Sequence, residues 1–325
     1  MYKAAIIGCG MIAGRFEDFS TSRTYSHAKA YRKNGAIGKL AFFDPDANRA
    51  RELSAKSGGQ AFAAISEIMV DFQPDIVSVC TPDNFHFSTV ELLMQCAFLP
   101  KVIFVEKPVC HDRHELARLI EMERTSGTRI IVNHSRRFDV AHERLKALLS
   151  SGELGPLVRA HVDYYGGWRH LGVHIIDILQ YMLGTLIEID RVEYYCESKY
   201  SDDPTLNIKG HISNASLSLV GFLENYYQIL DMSIMCQRGQ IKITDFGNCI
   251  EVFRKTVNAE QENVLVRDQA ASGVGMRDCI SNAIRLICNY LDSGDQSIIE
   301  PYGLDEAQNT MNTIWKGTEK YASQS

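Results

Sequence analysis

The 325-residue sequence has no surplus of positive charge. Its 34 Lys and Arg face 40 Asp and Glu, a net charge of −6. A general nucleic-acid binder carries a basic excess that neutralises phosphates, so nucleic acid is not an expected partner. No two of its nine cysteines stand at C-x-x-C spacing, and the count is odd. Several lie in apolar runs, such as Cys80 at the end of Ile76–Cys80. This excludes a disulfide framework and predicts reduced, buried thiols in a cytoplasmic chain. No run of about 18 apolar residues is present, so no membrane span is expected. The N-terminus goes straight into Ala4-Ala5-Ile6-Ile7-Gly8, with no basic region and no cleavage site of a secretory signal. Repeats, low-complexity tracts and an obvious linker are also missing.

What is there is ordinary globular composition, 45% hydrophobic and 23% charged, which rules out a disordered, collagenous or coiled-coil chain. The length predicts two domains. Residues 1–134 alternate short apolar runs (Ala4–Ile7, Leu40–Phe43, Ile76–Cys80, Val102–Val105, Ile130–Val132) with amphipathic stretches. Continuously apolar strands alternating with helices predict an α/β domain, a doubly wound parallel sheet covered on both faces. One helix, from Asp112 to Ser126, has a capping-box start in Asp112 and Glu115 and a stop at Gly127. From about residue 135 the segments lengthen and several alternate, as in Ala215–Val220. Long alternating strands separated by turns predict an α+β domain with a large open, mainly antiparallel sheet. Helices are expected at Val140–Leu149, Val173–Leu183, Met276–Leu291 and Asp305–Tyr321.

Gly8-Cys9-Gly10-Met11-Ile12-Ala13 reads G-x-G-x-x-A directly after the first strand. Gly8 permits a tight turn, Gly10 lets backbone approach a pyrophosphate, and Ala13 allows close helix–strand packing. The following helix N-terminus would face the anion. A bare strand-to-helix turn would look the same. The second strand ends at Asp44, whose carboxylate suits ribose hydroxyls and repels a 2′-phosphate, favouring NAD over NADP. Capping of the next helix is the competing role. Asp44 lies 34 residues after Gly10, where about 20 is usual, so the excess is placed in a polar loop at Arg15–Tyr25.

Two later strands end in Thr81-Pro82-Asp83-Asn84-Phe85-His86 and Glu106-Lys107-Pro108. With the glycine turn, they resemble the glucose–fructose oxidoreductase/inositol dehydrogenase (Gfo/Idh/MocA) family. Asn133–Phe138 resembles that family's crossing into its second domain, and Gly172-Val173-His174-Ile175-Ile176-Asp177 its G-x-H-x-x-D helix start. The resemblance implies an NAD-binding Rossmann domain at 1–134, a substrate-binding and oligomerisation domain at 135–300, and a C-terminal helix, 301–325, packing back on the first domain. It implies a dinucleotide held by Gly8, Gly10, Met11, Ile12, Asp44, Thr81, Pro82, Asn84, His86, Glu106 and Lys107. It also implies catalysis by Lys107 and His174. Taken alone, Lys107 reads as a surface lysine and His174 as a core histidine.

His174, Asp177 and Tyr181 form one polar stripe on an apolar helix, and a histidine there suits a general base. Inositol-dehydrogenase-like members carry Asp where this chain has His170. The stretch looks closer to members from sugar-nucleotide and polysaccharide pathways, so His170 either replaces the Asp or binds substrate. A zinc pair at His170 and His174 lacks supporting ligands, so no metal is expected. Trp168 either stacks on a sugar ring or is packed. The leading expectation is an NAD-dependent dehydrogenase acting on a sugar or sugar-nucleotide hydroxyl, assembled as a homodimer or homotetramer. An enzyme using tightly held NAD transiently in glycoside cleavage or epimerisation, and a non-catalytic NAD-binding regulator, stay open.

Overall fold

The computed structural model describes residues 1–324. The chain forms two compact units, residues 1–138 with 278–308 and residues 139–277 with 309–324. The first begins with β1 (Tyr2–Ile7), α1 (His27–Lys33), β2 (Ile37–Phe43), α2 (Ala47–Ser57), β3 (Gln60–Ala61), a single turn α3 (Ile65–Glu67), β4 (Ile76–Val79), α4 (His86–Met94), β5 (Val102–Glu106), α5 (Arg113–Ser126) and β6 (Arg129–Asn133). The strands pair in parallel in the order β3-β2-β1-β4-β5-β6. Every residue of β4, and of β5 up to Val105, is buried. That is why these strands read as unbroken apolar runs rather than alternating ones. The start of α5 is the predicted capping box. Asp112 accepts from the Glu115 amide at 2.8 Å, and Glu115 accepts from the His111 amide at 2.7 Å. Gly127, at φ 78°, closes the helix in the left-handed conformation.

The glycine turn does not open straight into a helix, contrary to expectation. Residues 10–16 make a short turn in which the Arg15 amide donates to the Gly10 carbonyl at 3.1 Å. Residues 17–26 then run without regular structure, and α1 starts at His27, capped by the Ser26 side chain. The loop is folded around Lys29, which is buried and donates to the Asp18 carbonyl and the Thr21 hydroxyl at 2.6 and 2.7 Å. Its charge is met by Glu17 at 3.4 Å. Glu17 also accepts from the Tyr25 amide at 2.8 Å and from the Ser26 hydroxyl. A buried ammonium needs this pairing. The chain satisfies it with a local polar loop, which delays the helix.

The second unit contains α6 (Val140–Ser150), β7 (Leu157–Tyr165), α7 (Val173–Leu183), β8 (Ile187–Cys196), β9 (Thr205–Ile212), β10 (Ala215–Phe222), β11 (Leu230–Cys236), β12 (Gly239–Thr244), β13 (Cys249–Val257) and β14 (Asn263–Val274). Its sheet runs β14-β13-β12-β11-β7-β10-β9-β8. It is antiparallel except where β7 meets β10. Burial alternates along β10 and β12, so one face is apolar. Residues 209–222 hold parts of two strands, β9 and β10, joined at Ser213-Asn214, a turn with no glycine to announce it. Strand β14 escaped the sequence pattern because it is an edge with few buried side chains.

The chain ends with α8 (Cys279–Ser293) and α9 (Leu304–Ala322). The sequence division put residues up to 300 in the second domain and let the last helix pack on the first. In the structure, 278–308 cluster with the first unit, whereas most of α9 belongs to the second. The first assignment follows from the apolar face of α8 (Ile280, Ala283, Ile284, Ile287), which packs on α1. Tyr2 also donates to Asp292 at 2.6 Å. The second follows from α7, where Asp177 and Gln180 accept from Thr310 and Thr313 at 3.2 and 3.1 Å. Among the described residues no helix is long and apolar enough to cross a membrane, and all nine cysteines are free thiols.

Candidate active site

In the first unit, β1 and β4 end side by side where the strand order changes direction, the usual ligand crevice of a doubly wound sheet. Gly8 has φ 90°, and a Cβ there would lie 2.7 Å from the backbone of Cys80 and Thr81. Only glycine lets the two strand ends approach this closely. At Gly10 a Cβ would meet nothing within 4 Å; its bareness opens space instead of relieving a clash. Met11 is 77% exposed, Ile12 partly buried and Ala13 fully buried.

Asp44 clamps this turn. One carboxylate oxygen accepts from the Cys9 amide at 2.8 Å and the other from the Asp46 amide at 2.9 Å. The cap of α2 is Asp46, not Asp44, which removes the competing role. The thiol of Cys9 is pushed up to about 12 by burial and by the Asp44 charge, so it stays protonated.

At the end of β4 the Thr81 hydroxyl is buried and has no hydrogen-bond partner. An orphaned hydroxyl costs free energy unless a ligand or water meets it. Pro82 and Asn84 lie exposed on the loop that follows. His86 turns inward, with its ring nitrogens 2.6 Å from the Pro108 carbonyl and 2.9 Å from the Thr81 carbonyl. It therefore braces the two loops against each other. Lys107 follows β5 as a half-buried residue joined to Pro108 by a cis peptide bond.

Glu106, the last residue of β5, faces a buried polar network. His27 Nε2 lies 2.8 Å and Asn133 Nδ2 2.6 Å from one carboxylate oxygen. His27 Nδ1 lies 2.8 Å from the Ser78 hydroxyl, which meets the Tyr31 hydroxyl at 2.7 Å. Burial opposes ionisation of Glu106. The hydrogen bond and charge of His27, the Asn133 amide and the charge of Lys107 outweigh it, holding the carboxyl below its usual range. Sequence reasoning named Glu106 but missed His27, Tyr31, Ser78 and Asn133. The available signal was that a carboxylate ending an apolar strand must find a partner.

In the second unit, a wide, π-helical turn at Trp168–Gly172 leads into α7. Trp168 is 1% exposed; its indole donates to the Ile314 carbonyl at 3.0 Å and packs against Gly317. Its ring is spent on packing and offers no face to a sugar. Asp203 fixes the turn by accepting from the Arg169 and His170 amides at 2.7 and 2.8 Å. Burial raises its carboxyl pKa despite those bonds. The His170 ring stacks on Tyr200, centroids 3.8 Å apart, and its Nε2 lies 2.7 Å from the Tyr200 hydroxyl. His174 is a partly exposed residue of the otherwise buried α7. Asp177 and Tyr181 of the same stripe are buried.

Residues 2–134 match the GFO_IDH_MocA model, an oxidoreductase family with an NAD-binding Rossmann fold. Over this segment the chain is similar to that family's NAD-binding domain. It is 25% identical to the myo-inositol 2-dehydrogenase of Thermotoga maritima over 249 residues, 72% of each chain. It is 30% identical to the UDP-N-acetylglucosamine 3-dehydrogenase of Acidithiobacillus ferrooxidans over 145 residues, 44% of this chain and 40% of that one. Among solved structures, a 3-ketoreductase from Actinomadura kijaniata in complex with NADP has the same fold. Its TM-score is 0.74 at 17% identity, over 97% of both chains.

Proposed function

We propose that the protein is an NAD-dependent oxidoreductase that transfers hydride between a hydroxyl-bearing carbon of a sugar or sugar nucleotide and nicotinamide. The observation that carries this is the end of β4 beside the glycine turn. There Gly8 touches the Cys80–Thr81 backbone, Gly10 faces open space and the Thr81 hydroxyl is buried without a partner. This donor set fits a dinucleotide: backbone amides for the pyrophosphate and a hydroxyl for its next segment. The relatives named above, an inositol and a sugar-nucleotide dehydrogenase, support the substrate class.

In this assignment Gly8, Gly10, Met11 and Ile12 form the cradle, and Thr81, Pro82 and Asn84 line the next wall. His86 and Glu106 hold that wall from behind. Asp44, with no basic residue at position 45 or 46, accepts from ribose hydroxyls and disfavours a 2′-phosphate, hence NAD rather than NADP. The nicotinamide supplies the hydride acceptor or donor. Lys107 hydrogen-bonds the reacting oxygen and carries its proton. His174 is assigned as a proton acceptor, and His170, beside the Tyr200 hydroxyl, as a substrate contact. A positioned acid–base group contributes about 10²–10⁴-fold.

Lys107→Ala is therefore expected to lower turnover by about 10²–10⁴-fold while NADH affinity stays within about threefold. In the same titrations NADH should bind at least about tenfold more tightly than NADPH. Turnover at the wild-type rate would remove Lys107 from the mechanism, and absence of turnover on a broad panel of sugars and sugar nucleotides would favour a binding protein. We further infer a homodimer or homotetramer, which sedimentation reads directly, and a reducing, cytoplasmic setting from nine unpaired thiols.

A further inference from the structure

We propose that His27 is a positioning residue, registering the dinucleotide turn against the strand end that carries Lys107. This rests on the assignment of the turn and Lys107 to hydride transfer.

His27 is fully buried and contacts three places at once. Its backbone amide donates to the Ile12 carbonyl of the glycine turn at 3.1 Å, and the next amide, of Ala28, donates to the Ala13 carbonyl at 3.1 Å. Its Nδ1 lies 2.8 Å from Ser78 Oγ on β4, two residues before the carbonyl that Gly8 abuts. Its Nε2 lies 2.8 Å from Glu106 Oε1, the residue immediately before Lys107. A single side chain and its own amide thus join the turn, β4 and β5 within one hydrogen-bonded path. Asn133, opposite Glu106 in register on β6, donates to the same oxygen at 2.6 Å and fixes the carboxylate from the other side.

Stability alone does not account for this arrangement. The His27 ring lies 5.0 Å from the ring of Phe104, so apolar side chains in place of both His27 and Glu106 could pack there, and replacing a whole buried pair is often neutral or stabilising, whereas removing one partner alone is not. What a hydrocarbon could not do is fix the strand end in two directions through directional bonds. A reaction whose geometry must be held to fractions of an ångström depends on that fixing, since displacement by about 1 Å can cost about 10²-fold in rate. Movement of the turn on binding the dinucleotide is transmitted through His27 to Glu106 and so to the Lys107 backbone.

The test is amide hydrogen exchange by mass spectrometry on the full chain with and without NADH, in the wild type and in His27→Phe. In the wild type, NADH is expected to slow exchange both in residues 8–14 and in residues 104–110. In His27→Phe the slowing at 8–14 should remain and that at 104–110 should fall at least tenfold. His27→Gln, whose amide can still donate to Glu106, should recover part of it. With a turned-over sugar, His27→Phe should lower kcat at least tenfold with the KM for NAD within threefold. Equal protection of 104–110 in the wild type and His27→Phe overturns the coupling and leaves the functional assignment standing. No NADH protection at 8–14 in the wild type overturns both. If His27→Phe does not fold, the same comparison is made with Glu106→Gln, and unchanged protection there overturns the proposal.

Discussion

His27 with Glu106 in the first unit and His142 with Asp139 in the second are two histidine–carboxylate pairs built for different ends. In the first, His27 and Glu106 are 79 positions apart and meet at 2.8 Å across α1 and β5. Both ring nitrogens have partners, and the carboxylate has a second donor in Asn133. In the second, Asp139 and His142 are three positions apart and meet at 2.6 Å. Asp139 is the N-cap of α6, accepts from the His142 amide and also takes the Arg277 amide at 3.2 Å. His142 Nε2 is buried without a partner, close to the bare Gly247. A local pair caps a helix and pins a loop, tolerating an orphaned nitrogen. A long-range pair whose histidine has a partner on each ring nitrogen joins elements that must keep register, and it lies beside the residues assigned to chemistry.

The largest effect expected from this contrast is on stability in the second unit. Asp139→Ala removes the helix cap and leaves His142 buried without its partner, so urea unfolding should show a loss of about 3–5 kcal/mol, with NADH affinity within threefold of the wild type. A loss below about 1 kcal/mol would mean that the local pair is ornamental and that the contrast fails. His27→Phe also removes one partner of a buried pair and is expected to cost stability of the same order; what sets it apart is that chemistry and cofactor-linked protection fall as well.

A smaller effect is in the acid limb. Burial opposes ionisation of both Glu106 and Asp139, yet the hydrogen bonds and charges of their histidines hold both carboxyls below their usual range. A carboxyl whose folded pKa lies below its unfolded value, about 4, adds stability that is present at neutral pH. That stability is lost as pH falls through the folded pKa. Wild-type unfolding midpoints should therefore drop more steeply between about pH 5 and pH 2 than those of Glu106→Gln. Parallel slopes would show that Glu106 is not held ionised by its neighbours.

The parallel strands were legible because burial on both faces leaves an unbroken apolar run, and the cap of α5 because Asp112 and Glu115 act within four residues. Asp44 was legible as a strand-end carboxylate; its two amide contacts were not. Distance along the chain set the limit. Nothing in the residues around His27 announces Glu106, and nothing around Trp168 announces Gly317, although the pairing of Trp168 with α9 decides that its ring is buried. The delayed start of α1 was half legible: the polar stretch at Arg15–Tyr25 was visible, whereas the buried Lys29 that organises it lies beyond it. The return of α8 to the first unit was illegible for a plainer reason. Its apolar face carries no mark of which unit it packs on.

That return has a consequence for synthesis. The sheet of the first unit is complete by residue 133, but α8, which covers α1, ends at residue 293. A ribosome adding about 5–20 residues per second needs on the order of 10–30 s to deliver it. For that interval the nascent sheet waits with the side of α1 that receives α8 uncovered, while residues 139–277 emerge. Any factor that shelters newly made chains would find its opening there, and a fragment cut at residue 134 would carry the same exposed flank permanently.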